Sequence, residues 1–163
     1  DPATTQAALL SGAVQASLSV PPNSIKAEAS GLHSIADLAA DKIPNAQNTV
    51  TVTGTWLKSN RPIAQKLVDS LVQGLARVKH DKAFTEQVMR KYLKLDDQNA
   101  LDVTYDYFAT EVWPDYPHVT ADQLADGKAE LSKKNDKLKN FDVSKMIDDS
   151  FVQDAEKRGV AKQ

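Results

Sequence analysis

SNRPIAQKLVDSLVQGLARVKH, residues 59–80, carries a strong helical pattern. Asn60 is placed to cap a helix, and Pro62 falls in its first turn, where a missing N–H leaves no hydrogen bond unmade. Apolar residues then recur every three or four positions, the spacing of one helix face. They are Ile63, Leu67, Leu71 and Leu75, with Ala64, Val68, Val72 and Val78 close beside them. The stretch predicts a long amphipathic helix.

The chain downstream of this helix continues the same pattern. Residues 82–93 and 97–112 repeat the apolar spacing, and the prolines at 114 and 117 then interrupt it. Thr120 and Gln123 have the spacing of a capping box, which marks a further helix start. The tail, residues 141–159, predicts one or two short helices. From residue 55 onward the sequence is therefore almost entirely helical in pattern.

The chain upstream alternates between two periods. Helices are predicted at 3–11 and 22–30, and strands at 13–20, 33–38 and 48–54, where apolar or β-branched residues tend to alternate with polar ones. Proline ends a strand because it cannot donate to a sheet ladder, yet it fits the first turn of a helix. The predicted fold class is accordingly α/β, with few strands and a helix-rich C-terminal portion.

Composition narrows the range of functions. The chain has 163 residues, 41% hydrophobic and 26% charged, as in a globular domain, and its net charge of -2 gives no argument for a nucleic-acid partner. The absence of cysteine excludes a disulfide framework and a thiolate metal site. It does not identify the compartment, because cysteine-free chains occur both inside cells and in the periplasm.

Residues that usually carry catalysis are isolated in this sequence. His33, His80 and His118 are far apart, without a carboxylate or a second histidine at metal-binding spacing. The acidic pairs 96–97 and 148–149 each precede a helical pattern, where capping is the expected role. We therefore predict neither an enzyme nor a cofactor or metal site.

Small polar residues near the predicted helix and strand ends are the candidate ligand-binding set. In an open α/β sheet, small ligands bind beside the carboxyl ends of strands, close to the N-termini of helices. The alternative is that these residues only cap helices. The candidates are Thr4, Thr5, Ser19, Pro21, Pro22 and Asn23.

The stretch TTQAALLSGAVQASLSVPPNSIKAEASGLHSIADLA, residues 4–39, resembles substrate-binding proteins of the nitrate, sulfonate and taurine class of ABC transporters. Its ALLSG helix ending, its strand ending in a proline loop and its GL and ADL elements are similar to theirs. The likeness continues through NTVTVTG, the long helix, KYLKLDD and IDDSFVQDAEKRGV, so it covers essentially the whole chain.

The resemblance implies a two-lobed type II periplasmic binding fold. Residues 1–47 would end the smaller lobe, and 48–163 would supply a crossover strand and the C-terminal helices of the larger lobe. A small anionic or aromatic solute would bind between the lobes near residues 4–5 and 19–23. Lobe closure would be recognised by the permease subunits. The implied location is the periplasm, or the outer surface of a Gram-positive cell through a lipid anchor.

Two other functions stay open at this point. Pyrimidine synthases of thiamine biosynthesis resemble the same fold, although they carry a cysteine-rich motif that this chain lacks. A helical interaction module would suit residues 55–163. The opening DPATTQAALLSG has neither a charged n-region nor an apolar h-region, so we expect a fragment or processed chain that associates with itself through uncovered apolar surface.

Overall fold

The computed structural model describes residues 2–46 and 48–162, and in this part of the chain it is 61% helix without any strand. Short turns of 3₁₀ or π geometry connect and extend the helices. The α-helices are α1 (Pro2–Leu10), α2 (Asn23–Ala29), α3 (Gly54–His80), α4 (Lys82–Leu93), α5 (Gln98–Asp106), α6 (Ala125–Ser132) and α7 (Ser150–Lys157). A π-helical turn, Tyr107–Val112, continues α5, and 3₁₀ turns occupy Asp122–Leu124, Asp136–Leu138, Val143–Met146 and Val160–Lys162.

The predicted α/β fold class is wrong. Segments 13–20 and 33–38 and the described residues of 48–53 are irregular or turn-forming, and α3 begins at Gly54. A strand needs the N–H and C=O groups of a second strand, and these three segments do not pair with one another or with any other described residue in a ladder. The two-lobed α/β architecture that the resemblance implies requires strands, so that expectation is wrong as well.

The predicted helices exist, with one change at Asn60. Predicted helices 3–11 and 22–30 are confirmed as α1 and α2, and the long amphipathic helix as part of α3. Asn60 is non-helical (φ -131°, ψ 24°) and marks a kink between two helical stretches of α3. The predicted stretch therefore begins after Asn60, but another helical stretch precedes it, and the Asn60 side-chain amide donates to the Trp56 carbonyl at 2.8 Å. Pro62 lacks the N–H that a continuous helix would use, which accounts for a kink just before it.

One compact unit comprises residues up to 41 together with 78–113. Its apolar core consists of Leu95, Ala100 and Leu101, with Ile25 and Met89 packed against them. Helices α4 and α5 each begin at an aspartate that caps them. The Asp81 carboxylate accepts from Phe84 N at 3.0 Å, and the Asp97 carboxylate from Ala100 N at 2.7 Å. The predicted capping role of the 96–97 pair is confirmed at Asp97.

The second compact unit comprises residues 42–77 and 114–163. Val72 of α3, Ala155 of α7 and Val160 form its buried core, and Val68, Tyr116 and Ala161 pack against it. The predicted boundary between residues 1–47 and 48–163 stays a prediction.

Candidate functional site

The predicted ligand-binding residues lie on α1, on α2 and in the segment between them. Thr4 and Thr5 are exposed residues of α1, Ser19 is exposed in the irregular segment, and Asn23 is the first residue of α2. Helices α1 and α2 contact each other, and the Gln6 side-chain amide donates to the Asn23 carbonyl at 3.3 Å. The structure therefore brings the helices carrying Thr4, Thr5 and Asn23 together within the first unit.

The backbone at the start of α2 is engaged in its own turn. The N–H groups of Asn23 and Ser24 both donate to the Val20 carbonyl, at 2.9 and 3.1 Å. These donors are thus not directed at a bound anion. Pro22 occupies the cap position without a side-chain cap hydrogen bond, so Asn23 does not act as the N-cap. Any ligand role of Asn23 rests on its half-buried side-chain amide.

Pro21 and Pro22 shape the turn that leads into α2. Both side chains are half-buried, and the peptide bond between them is cis. Two hydrogen bonds close this turn. The Val20 carbonyl accepts from the N–H groups of Asn23 and Ser24, the two residues that follow the prolines. Proline side chains carry no hydrogen-bonding group, so any polar contact with a solute would come from the neighbouring hydroxyl and amide side chains.

His118, predicted to be an isolated structural histidine, is part of a cluster in the second unit. Its Nδ1 lies 2.9 Å from Asp149 Oδ2, and its Nε2 lies 3.3 Å from Glu156 Oε2. The hydrogen bond to Asp149 raises the pKa of His118, despite partial burial. Both carboxylates follow more than thirty residues later in the chain, so no local spacing in the sequence could reveal them.

Asp149 also holds the backbone of the same segment. Its Oδ1 accepts from Val119 N at 3.3 Å, and its Oδ2 accepts from Gln153 Nε2 at 3.0 Å. Asp149 occupies the N-cap position of α7, but its side chain makes no cap hydrogen bond, so the predicted capping role is wrong at Asp149. The side chain bonds the 118–119 segment and Gln153 of α7 instead. The cluster attaches residues 118 and 119 to α7, which is a structural role.

Two arginines bind the other acidic side chains near α7. Arg158 donates to Asp69 at 2.6 Å and to Asp154 at 2.7 Å, and the hydrogen bond from Arg158 lowers the pKa of Asp69. Arg61 lies 2.9 Å from Asp148. The pKa of Asp148 is lowered, first by its hydrogen bond from the Ser150 hydroxyl and then by Arg61. The lowered pKa values favour the ionised forms of Asp69 and Asp148, which does not suit a general acid.

A lysine in the first unit is surrounded by acidic side chains. Lys82 Nζ lies 2.6 Å from Asp102, 3.5 Å from Asp106 and 4.0 Å from Glu86. The hydrogen bond with Asp102 raises the pKa of Lys82, so its ammonium form is favoured. A lysine held charged is a poor nucleophile. The cluster joins α4 to α5.

A shallow, open depression of about 460 Å³ lies along α7. Its lining residues are Ser150, Gln153, Asp154, Glu156 and Lys157. It is separate from the predicted ligand-binding residues, and two of its three charged groups are engaged in the ion pairs described above. Its form is that of an exposed helix surface rather than an enclosed pocket.

Within residues 2–46 and 48–162, no group of three or more His, Cys, Asp or Glu side chains could hold a metal ion. None of the helices described is both long and apolar enough to cross a membrane. No family model, curated protein or solved structure matches the chain.

Proposed function

We propose that this chain serves as the solute-binding component of an ABC importer, holding a small anionic or aromatic solute beside α1 and α2. Its support is the sequence resemblance, which runs from Thr4 through the C-terminal residues. The structural observation that carries the proposal is the contact of α1 with α2, made by Gln6 and Asn23. This contact places the helices that bear the predicted ligand-binding residues side by side.

The chemistry of these side chains suits a small polar solute. Threonine and serine hydroxyls and the asparagine amide can each donate or accept a hydrogen bond. One anionic or carbonyl oxygen of a solute can therefore accept hydrogen bonds from several of these groups. Recognition of this kind requires no covalent step. The proposal places the protein in the periplasm or on a lipid anchor at the cell surface, where it would deliver its solute to permease subunits.

Thermal unfolding of the chain in the presence of nitrate, taurine, an alkyl sulfonate and an aromatic carboxylate tests the proposal. A solute that binds the folded state raises Tm, and above its Kd the stabilisation grows with the logarithm of the ratio of its concentration to Kd. We expect one of these classes to raise Tm, and Asn23→Ala to weaken that solute's binding at least about tenfold because an amide contact is lost. Asn140→Ala, at an exposed position in the second unit, is the matched control.

Two results would contradict the solute-binding proposal. The first is that none of the four solutes shifts Tm at millimolar concentration. The second is that Asn23→Ala lowers the free energy of unfolding as much as it lowers the free energy of binding. In that case the residue would have a folding role only.

A helical interaction module is the second candidate function. Exposed apolar side chains along α3 favour it, since large uncovered apolar faces on helices commonly mark binding surfaces. The pyrimidine-synthase-like alternative has no observation in its favour and stays a prediction.

A further inference from the structure

Both ring nitrogens of His118 face carboxylates of the α7 region. Nδ1 lies 2.9 Å from Asp149 Oδ2, just before the first residue of the helix, and Nε2 lies 3.3 Å from Glu156 Oε2, in its last turn. A neutral imidazole has one N–H donor and one acceptor nitrogen, whereas an imidazolium has two donors. Only the imidazolium can therefore donate to both carboxylates at once. The hydrogen bond to Asp149 raises the pKa of His118, and the charge of Glu156 adds to this effect.

The segment that carries His118 covers the core of the second unit. Tyr116 packs against that core, and its hydroxyl oxygen accepts from Ala161 N at 3.3 Å. On the other side of the histidine, Val119 N donates to Asp149 Oδ1 at 3.3 Å. Both distances are long for N–H···O hydrogen bonds, so the 2.9 Å contact of the histidine ring is the shortest of these attachments. Loosening the ring contact therefore loosens a segment that lies over apolar side chains.

The other charged groups of α7 and its surroundings are separate from this contact. Arg158 pairs with Asp154 of α7 at 2.7 Å and with Asp69 of α3 at 2.6 Å. Lys157, the remaining charged residue of α7, lies about 100° around the helix from the residue before it. The response of His118 to pH therefore depends on the two carboxylates that face its ring.

We propose that His118 is a pH-sensitive latch, which fastens residues 116–119 to both ends of α7 when protonated and releases the Glu156 end when it loses its proton to water. In the neutral form, Nδ1–H can still donate to Asp149, but the lone pair on Nε2 faces the Glu156 carboxylate and that contact is lost. The segment then opens more often, and Tyr116 leaves the core with it.

The direction of the pH dependence follows from the raised pKa of His118. The latch is fastened below the ordinary histidine pKa of about 6.5, and it loosens as pH rises through the raised value. The device lies within the second unit and goes beyond the proposed function. It is independent of solute binding at α1 and α2, which belong to the first unit.

Amide hydrogen exchange of the full chain, followed by NMR between about pH 5.5 and about pH 8, tests the latch. Dividing the intrinsic exchange rate at each pH by the measured rate gives a protection factor. For Val119 N–H this factor should fall between about twofold and about fivefold as pH rises, a modest change because the His118 ring is one-third exposed. Ala100 N–H is the matched control: it also donates to a carboxylate, that of Asp97, and its protection should stay constant.

Substitutions separate a latch from a purely structural contact. His118→Gln should abolish the pH dependence of Val119 protection. Glu156→Gln should shrink it and weaken proton binding by His118 about twofold, as read from the pH titration of the ring-proton NMR signals, because one facing negative charge is removed. Glu130→Gln, at an exposed glutamate of α6, is the control and should leave both quantities unchanged. Circular dichroism checks that each variant retains its helix content.

Three outcomes would overturn the latch. The first is a Val119 protection factor that does not change with pH. The second is a change that persists in His118→Gln, which would assign it to another titrating group. The third is that His118 titrates in Glu156→Gln as it does in the wild type, which would make Asp149 the whole of the contact and leave no second end to release.

Discussion

Two adjoining regions of the chain differ in how their backbone N–H and C=O groups can form hydrogen bonds. In α3, each N–H past the first turn, apart from the break around Asn60 and Pro62, can bond to a carbonyl four residues earlier, so the helix needs no outside partner. Residues 32–46 and 48–53 precede it without a helix or strand, and large apolar side chains such as Ile35, at 90%, are left exposed there. A helix can complete its hydrogen bonds alone, whereas a strand cannot.

The first prediction contrasts a core residue with an exposed valine of the irregular region. Leu101 is fully buried in the first unit, so Leu101→Ala should lower the free energy of unfolding by about 2–5 kcal/mol. Val50 is more than half exposed, and Val50→Ala should change the same quantity by less than about 0.5 kcal/mol. Urea unfolding followed by circular dichroism measures both. Equal losses would show that the 48–53 region is packed.

The second prediction concerns the start of α5. The Asp97 carboxylate accepts from Ala100 N at 2.7 Å, so Asp97→Ala should cost about 1 kcal/mol of unfolding free energy. Asp136 lies in a 3₁₀ turn, and its side chain forms an exposed ion pair with Lys139. Asp136→Ala should therefore cost less than about 0.5 kcal/mol of unfolding free energy. If the two variants lose equal stability, the capping bond is not what fixes this helix start.

The third prediction, with the smallest effect, is that the free energy of unfolding depends on pH through His118. Its pKa is raised in the folded state by Asp149 and Glu156. The imidazolium therefore contributes stability below the unfolded pKa of about 6.5, and this contribution is lost as pH rises through the folded pKa. The contribution should be below about 1 kcal/mol, since the side chain is about one-third exposed.

His118→Gln should remove this dependence, whereas His80→Gln should preserve it, as measured by urea unfolding between about pH 5 and pH 8. A stability difference between wild type and His118→Gln that stays constant across that range would contradict the ionic role of His118.

Local patterns account for what the sequence could predict. The spacing of Ile63, Leu67 and Leu71 identified α3, and the acidic pair at 96–97 identified the start of α5, because both signals act over a few residues. Contacts between distant residues left no such signal. His118 and Asp149 are 31 residues apart, and Arg158 and Asp69 are 89 apart.

The strand predictions failed for a related reason. The alternation of Val50 and Val52 with threonines describes side-chain pattern alone, whereas a strand also requires a bonded neighbour. The ligand-binding role of the residues near α1 and α2 stays a prediction. Gln6, which was not among them, joins α1 to α2 by its hydrogen bond to the Asn23 carbonyl, and Ser19 lies exposed in the segment between the two helices. Large apolar residues are exposed, as self-association would require, but self-association itself stays a prediction.

Amide hydrogen exchange across residues 48–80 tests most directly whether helices alone organise this chain. We predict slow exchange around the buried Val72 of α3, and exchange at residues 49–52 close to that of an unstructured peptide. Protection of 49–52 comparable to that around Val72 would show that these residues pair as a strand, and would contradict the all-helical account.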